Sequence, residues 1–172
     1  MRIDGGFMTR RRTSYQSGHA PKFLVVVDDS PECDRAIVFA ARRASRTGHH
    51  LQMLAVVDAQ LRDGQGLFGV AEVMRAEAHA EARAKLDRAA DLAMKLVGVE
   101  PELVVRDGVM ADAILAQIEE DPDVAILILA AGIGKDGPGP LVSSLARSAG
   151  TFPIPVALVP GQLTDEEIEA LA

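Results

Sequence analysis

Tryptophan is absent from the 172 residues, tyrosine occurs once and phenylalanine five times. A core without aromatic bulk must be filled by aliphatic side chains and alanine. The single cysteine, Cys33, excludes an internal disulfide and any cysteine-built zinc cluster. The four histidines (His19, His49, His50 and His79) show no i, i+4 pair and no ligand spacing, so no metal site is assigned to them. Basic residues are sparse: the one dense run is Arg10-Arg11-Arg12, and the net charge is −7. A surface that tracks nucleic-acid phosphates gathers Lys and Arg on one face, so nucleic acid is not an expected partner. Long apolar runs are missing as well. No stretch approaches the ~20 residues that cross a bilayer, so no membrane association is expected.

What is present divides into three parts. Residues 1–21 hold Gly5-Gly6, the arginine run and polar residues, with no apolar segment of the kind a signal peptide needs. They read as a flexible leader to a cytoplasmic protein, in which Met8 is an alternative start. The arginines beside Thr13 and Ser14 make either a kinase motif or a solvated tail. Residues 22–161 carry the domain, and residues 162–172 a short C-terminal helix.

The domain alternates strands with helices. Phe23 to Val27 is a continuous apolar run rich in β-branched residues, as in a strand buried on both faces. Ser30-Pro31 then offers an N-cap with proline at the first helical position, and the helix runs to about Thr47 before Gly48. A strand from Leu51 to Val57 ends at Asp58, and Ala59 to Val70, rich in glycine, reads as a loop long enough to be functional. Glu72 to Val97 is a long helix with Leu86, Ala89, Ala93 and Leu96 on one face, stopped by Gly98. A strand at Leu103 to Val105, a helix from Met110 to Glu120 and a strand from Ala125 to Leu129 follow. After a Gly/Pro loop come a helix near Leu141 to Ala149 and a strand from Val156 to Val159. Thr164 and Glu167 form a capping box for the last helix. The order predicts a doubly wound α/β domain: five parallel strands, helices on both faces, and a ligand site at the carboxyl ends of the strands where the strand order reverses.

Three familiar readings fail. Asp28-Asp29 after a buried strand resembles the start of a phosphorylated receiver domain. Such a domain also needs an acceptor aspartate before a Met-Pro turn and a lysine ending the fifth strand. Here Asp107 precedes Gly108-Val109-Met110, and Val159 precedes Pro160-Gly161. Gly132-x-Gly134-x-x-Gly137 matches a dinucleotide fingerprint as text, but it follows the fourth strand and runs into Pro138-Gly139-Pro140, where no helix opens. A P-loop fails because Asp136 stands where Ser or Thr must hold Mg²⁺.

Taken together, Asp28 with Ser30, Val56-Val57-Asp58, Asp107-Gly108 leading into Ala113 and Ile114, the glycine loop after strand four, and Pro155-Val156-Ala157-Leu158-Val159 resemble the universal stress protein family over roughly Lys22 to Gly161. The family's ATP-binding members carry Gly-x-x-Gly, nine residues, then Gly-Ser or Gly-Thr. Counted without gaps, those glycines fall here on Ala130, Ile133 and Ser143, with Ser144 at the hydroxyl position. The motif is therefore degenerate, with glycines displaced to Gly132, Gly134, Gly137 and Gly139. Either this loop still holds an anion with its backbone amides, or it is a rigid lid.

The resemblance implies a stress-response protein that senses or stores ATP or another adenine nucleotide, with Mg if bound. It puts Asp28 on the ribose hydroxyls, Val56 beside the adenine, and Ser143 and Ser144 toward phosphates. Lys135 is added from its place in the loop. Each residue has a plainer reading: Asp28 or Asp29 shapes a turn, Val56 is core, the serines cap a helix, and Lys135 is solvated. No activated nucleophile accompanies them, so no catalytic residue is assigned and the chain is at most a weak ATPase. The family resemblance also implies a homodimer formed through Val156 to Val159. The alternative is a nucleotide-free dimeric scaffold of the same fold. An adenylating enzyme ranks behind both, because Asp28-Asp29-Ser30-Pro31 cannot form a serine-glycine pyrophosphate loop.

Overall fold

The computed structural model describes residues 11–58 and 69–172. Five strands, β1 (Lys22–Val26), β2 (His50–Asp58), β3 (Glu102–Gly108), β4 (Val124–Ala131) and β5 (Val156–Pro160), form one sheet in the order β3-β2-β1-β4-β5. Every pairing is parallel. The helices are α1 (Cys33–Thr47), α2 (Val70–Val97), α3 (Met110–Glu120), α4 (Pro140–Ser148) and α5 (Asp165–Leu171). The predicted doubly wound α/β fold is the fold found. Most of the loop expected between Ala59 and Val70 lies outside the described residues.

Side-chain alternation along the strands builds two cores. Phe23, Val25 and Val27 face α1 and α2, together with Leu51, Met53, Ala55 and Val57. Leu24 and Val26 face α3 and α4, with Leu54, Leu127 and Leu129. Alanine does the work that aromatic residues would do elsewhere. Ala36, Ala40, Ala41 and Ala44 of α1 are all at most 1% exposed, so the helix backbone lies close to the sheet. Gly48 and Gly98 close α1 and α2 in the left-handed conformation, which carries no Cβ penalty for glycine. The Thr164–Glu167 capping box is present in full. α5 is pinned to α1 by Ile168 against Val38, and by Arg35 to Asp165 at 2.5 Å.

The start of α1 differs from the expected one. Ser30 is not its cap: the helix begins at Cys33, and Glu32 precedes it without a side-chain cap bond. The Ser30 amide donates to Asp28 Oδ1 at 2.9 Å, and the Cys33 amide donates to the Ser30 carbonyl at 3.1 Å. A turn held by Asp28 thus takes the place of the first helical residues.

At the amino ends of the strands a polar network replaces apolar packing. Gln52, fully buried, donates to Asp121 at 3.0 Å and accepts from Gln117 at 2.9 Å. Lys22 reaches the same Asp121 carboxylate at 2.7 Å. Burial alone would lower the Lys22 pKa, but its bonds to Asp121 and Glu102 outweigh this and raise it. The last part of the segment read as a leader contacts this end of the domain. Thr13 donates through its amide to the Pro122 carbonyl at 3.1 Å and through its hydroxyl to Asp123 at 2.7 Å, while His19 stands 2.8 Å from Asp123.

Candidate functional site

β1 has β2 on one side and β4 on the other, so the chain leaves its carboxyl end between two connections that run to opposite sides. That is where a doubly wound sheet opens a crevice. A cavity of about 400 Å³ lies there, floored by Val26 and Leu129 and walled by Met110 and Ala111 of α3 and Leu141 and Val142 of α4. Asp28, Ser30 and Glu32 stand on one rim, and Pro138, Gly139 and Pro140 on the other. Its size and mainly apolar wall, with a few polar groups, suit a small organic ligand.

Of the residues singled out from the sequence, Asp28, Ala130 and Ser144 come together on this lining. Asp28 both shapes the turn and presents an exposed carboxylate. Ser144 belongs to α4, whose amino end carries no side-chain cap, so its first amides are not satisfied within the helix. Val56 is half-buried against the core shared by Val26 and Leu54, and does not line the cavity. Ser143 is absent from the lining too, and its amide is engaged by the Gly139 carbonyl at 3.0 Å.

Gly132, Gly134 and Lys135 also lie off the lining, and Lys135 is exposed. Their loop folds on itself: the Gly132 amide donates to the Pro138 carbonyl at 3.2 Å, and the Gly137 amide to the Gly134 carbonyl at 3.1 Å. Gly137 and Gly139 hold positive φ of 86° and 101°, which glycine adopts freely.

Glu32 is the site residue that sequence reasoning missed. A Cβ on Gly132 would stand 2.8 Å from Glu32 Oε1, and one on Gly161 would stand 2.7 Å from Glu32 Cβ. The Glu32 side chain therefore runs between two glycines that are distant in sequence, and no local pattern announces it. Met110 and Ala111 were missed for a similar reason, since only the crossover from β3 brings the start of α3 to β1.

A second cavity of about 460 Å³ lies on the opposite side of Asp28, between α1 and α2, where Lys85 bonds Asp29 at 2.5 Å. Cys33 sits there, buried, and desolvation pushes its thiol up to about 12. At the far end of β3, Asp107 is held by Arg75 at 2.8 Å and His79 at 2.6 Å. Burial raises the Asp107 pKa, but these two donors outweigh it and leave the carboxyl below its ordinary value. Among the described residues, no cluster of three His, Cys, Asp or Glu is arranged to hold a metal ion, and no helix is long and apolar enough to cross a membrane.

Known structures share this architecture. A universal stress protein from Lactobacillus plantarum is 18% identical over 81% of this chain and 97% of its own, with a TM-score of 0.64. A universal stress protein in complex with cAMP is 20% identical over 81% and 96%, with a TM-score of 0.59. The universal stress protein from Archaeoglobus fulgidus in complex with dAMP is 22% identical over 82% and 98%, with a TM-score of 0.54. At these identities the likeness is one of fold. No curated protein matches the chain. The sequence model of the universal stress protein family matches residues 20–160, most of the chain and the whole sheet, and the chain belongs to that family.

Proposed function

We propose that this protein is a cytoplasmic stress-response regulator that binds an adenine nucleotide in the cleft between β1 and β4. The observation that carries the reading is the cavity itself. An apolar slot between Val26, Leu129 and Met110 has the character a purine ring needs, and Asp28 stands at its mouth, where a carboxylate accepts bonds from ribose hydroxyls. The uncapped amino end of α4 beside Ser144 offers amides to a phosphate. Relatives of the same fold hold cAMP and dAMP, which supports the same ligand class here. Among the described residues, no His or Lys lines the cavity beside Ser30 and Ser144 to activate their hydroxyls, which supports binding over turnover.

The test is direct. Acid-denatured protein is examined for released adenine nucleotide, and native protein is melted with AMP, cAMP and ATP, each with Mg²⁺. A released nucleotide, or a stabilising shift that Asp28→Ala removes, is the expected result. Neither release nor shift with any ligand would overturn the reading.

β5 forms one edge of the sheet, with Leu158 48% exposed, and supports the homodimer as part of this proposal. Light scattering of Leu158→Asp is expected to report a monomer where the parent is a dimer. A second reading, a nucleotide-free scaffold, is favoured by Val70, Val73 and Met74, which α2 leaves exposed on its first turns. It gains ground if the cleft proves empty.

A further inference from the structure

We infer that the cleft accepts a nucleoside, or a nucleotide carrying one phosphate, and discriminates against triphosphates, with Glu32 setting that limit. This rests on the nucleotide reading above and names the ligand class within it.

The glycine loop is closed rather than open. Two of its amides, those of Gly132 and Gly137, are bonded to carbonyls of the loop itself. Gly132, Gly134 and Lys135 do not reach the cavity, which meets the loop only at Pro138 and Gly139. A loop that cradles several phosphates turns its amides outward to the ligand, and here those of Gly132 and Gly137 are turned inward. Gly132 lacks a side chain for another reason. The space is filled by the Glu32 carboxylate, whose Oε1 would be 2.8 Å from a Cβ there.

Glu32 lines the cavity and also touches the loop, so a ligand extending from the cavity toward the loop must pass a carboxylate. Asp28 and Glu32 are the charged residues on the lining. Among the described residues, no Lys, Arg or His accompanies them. Asp28 is exposed and Glu32 half-buried, and like charges brought beside them repel with no cation on the lining to offset them. One phosphate still has partners, all neutral donors: the amides of Leu141 and Val142 in the first turn of α4, which opens on Pro140, and the Ser144 hydroxyl. Further phosphates gain only the proximity of Glu32. The same chemistry describes a 5′-monophosphate, a cyclic monophosphate or a free nucleoside.

Isothermal titration with adenosine, AMP, cAMP and ATP, in EDTA and again in Mg²⁺, separates the possibilities. For the parent protein, ATP is expected to bind about tenfold more weakly than AMP in both buffers, the effect of a single like-charge contact near the protein surface. Glu32→Gln, which keeps the shape and removes the charge, should close most of that gap, and Glu32→Lys should reverse it. The melting temperature of each variant checks that the fold is kept. ATP binding as tightly as AMP in either buffer overturns this inference alone. So does a gap that survives in both variants. Silence from all four compounds removes the nucleotide reading and takes this inference with it.

Discussion

Gly161 and Gly132 flank the same side chain, yet alanine should be costly at the first and nearly neutral at the second. A Cβ at Gly161 would lie 2.7 Å from Glu32 Cβ and 3.1 Å from the Ala131 carbonyl oxygen. Non-bonded carbon atoms rest at about 3.5–4.0 Å, so the first contact is about 1 Å too close. Neither partner can swing away: Glu32 Cβ is fixed to the backbone, and the Ala131 carbonyl accepts the Gly161 amide at 2.9 Å. Overpacking of this kind costs about 1–3 kcal/mol. The stiffer unfolded chain returns roughly 0.4–1 kcal/mol of it. Gly161→Ala should therefore lose about 1–2 kcal/mol, a fall of roughly 3–6 °C in Tm for a chain of this size.

At Gly132 the severe contact is with Glu32 Oε1, the far end of a flexible side chain, and the 3.2 Å approach to the Gly137 carbonyl oxygen asks that partly exposed loop to give by a few tenths of an ångström. A rotamer change costs about 0.5–1.5 kcal/mol and is largely offset by the same unfolded-state gain. Gly132→Ala should sit within about 0.5 kcal/mol of the parent. Urea unfolding of the two variants, alone and combined with Glu32→Ala, completes the test. Truncating Glu32 removes the carboxylate but keeps Cβ, so it should relieve Gly132→Ala and leave Gly161→Ala unrelieved. A neutral Gly161→Ala, or one rescued by Glu32→Ala, would refute the packing described for this rim.

Three further outcomes are expected. Gln52→Leu strands the Gln117 amide in a buried site and should lower urea stability by about 1–3 kcal/mol, against no change if the network is incidental. Cys33, with its thiol raised to about 12, should resist Ellman's reagent in the folded protein at about pH 8 and react once on unfolding. Its raised value adds stability that is complete below the unfolded thiol pKa and fades as pH climbs toward about 12. Rapid labelling of native protein would contradict the burial. Asp107, with its carboxyl depressed by Arg75 and His79 against the opposing effect of burial, contributes stability above its unfolded pKa and loses it as pH falls through the folded one. Asp107→Asn should therefore flatten the acid limb of urea midpoints measured below about pH 4, and an unchanged limb would count against the pairing.

Much of the fold could be read from the chain because its signals are local. Apolar β-branched runs, the stops at Gly48 and Gly98, and the Thr164–Glu167 box each act within a turn or a strand. Boundaries that depend on a neighbour were shorter in the sequence than in the protein. β3 continues to Gly108 because Asp58 of β2 pairs with it, and β4 continues to Ala131 because Pro160 of β5 does. Asp28, Ala130 and Ser144 were found because family spacing carries them to the ends of β1 and β4 and into α4. The loop residues Gly132, Gly134 and Lys135 were placed by glycine content alone. That content does not distinguish an amide turned toward a ligand from one bonded within the loop. Glu32 gave no signal at all, since its partners Gly132 and Gly161 are assembled only by the finished sheet.

The pairing of β1 with β4 also dictates when the cleft can exist. β1 is made first, but the strand that completes its far side follows three helical crossovers later, and the α4 wall later still. Contacts so distant in sequence close late in folding. A ligand that needs both walls has nothing to grip on a half-made chain. It should slow the unfolding of the native protein and leave the folding rate unaltered, acting as a latch on the finished molecule and never as a template for it.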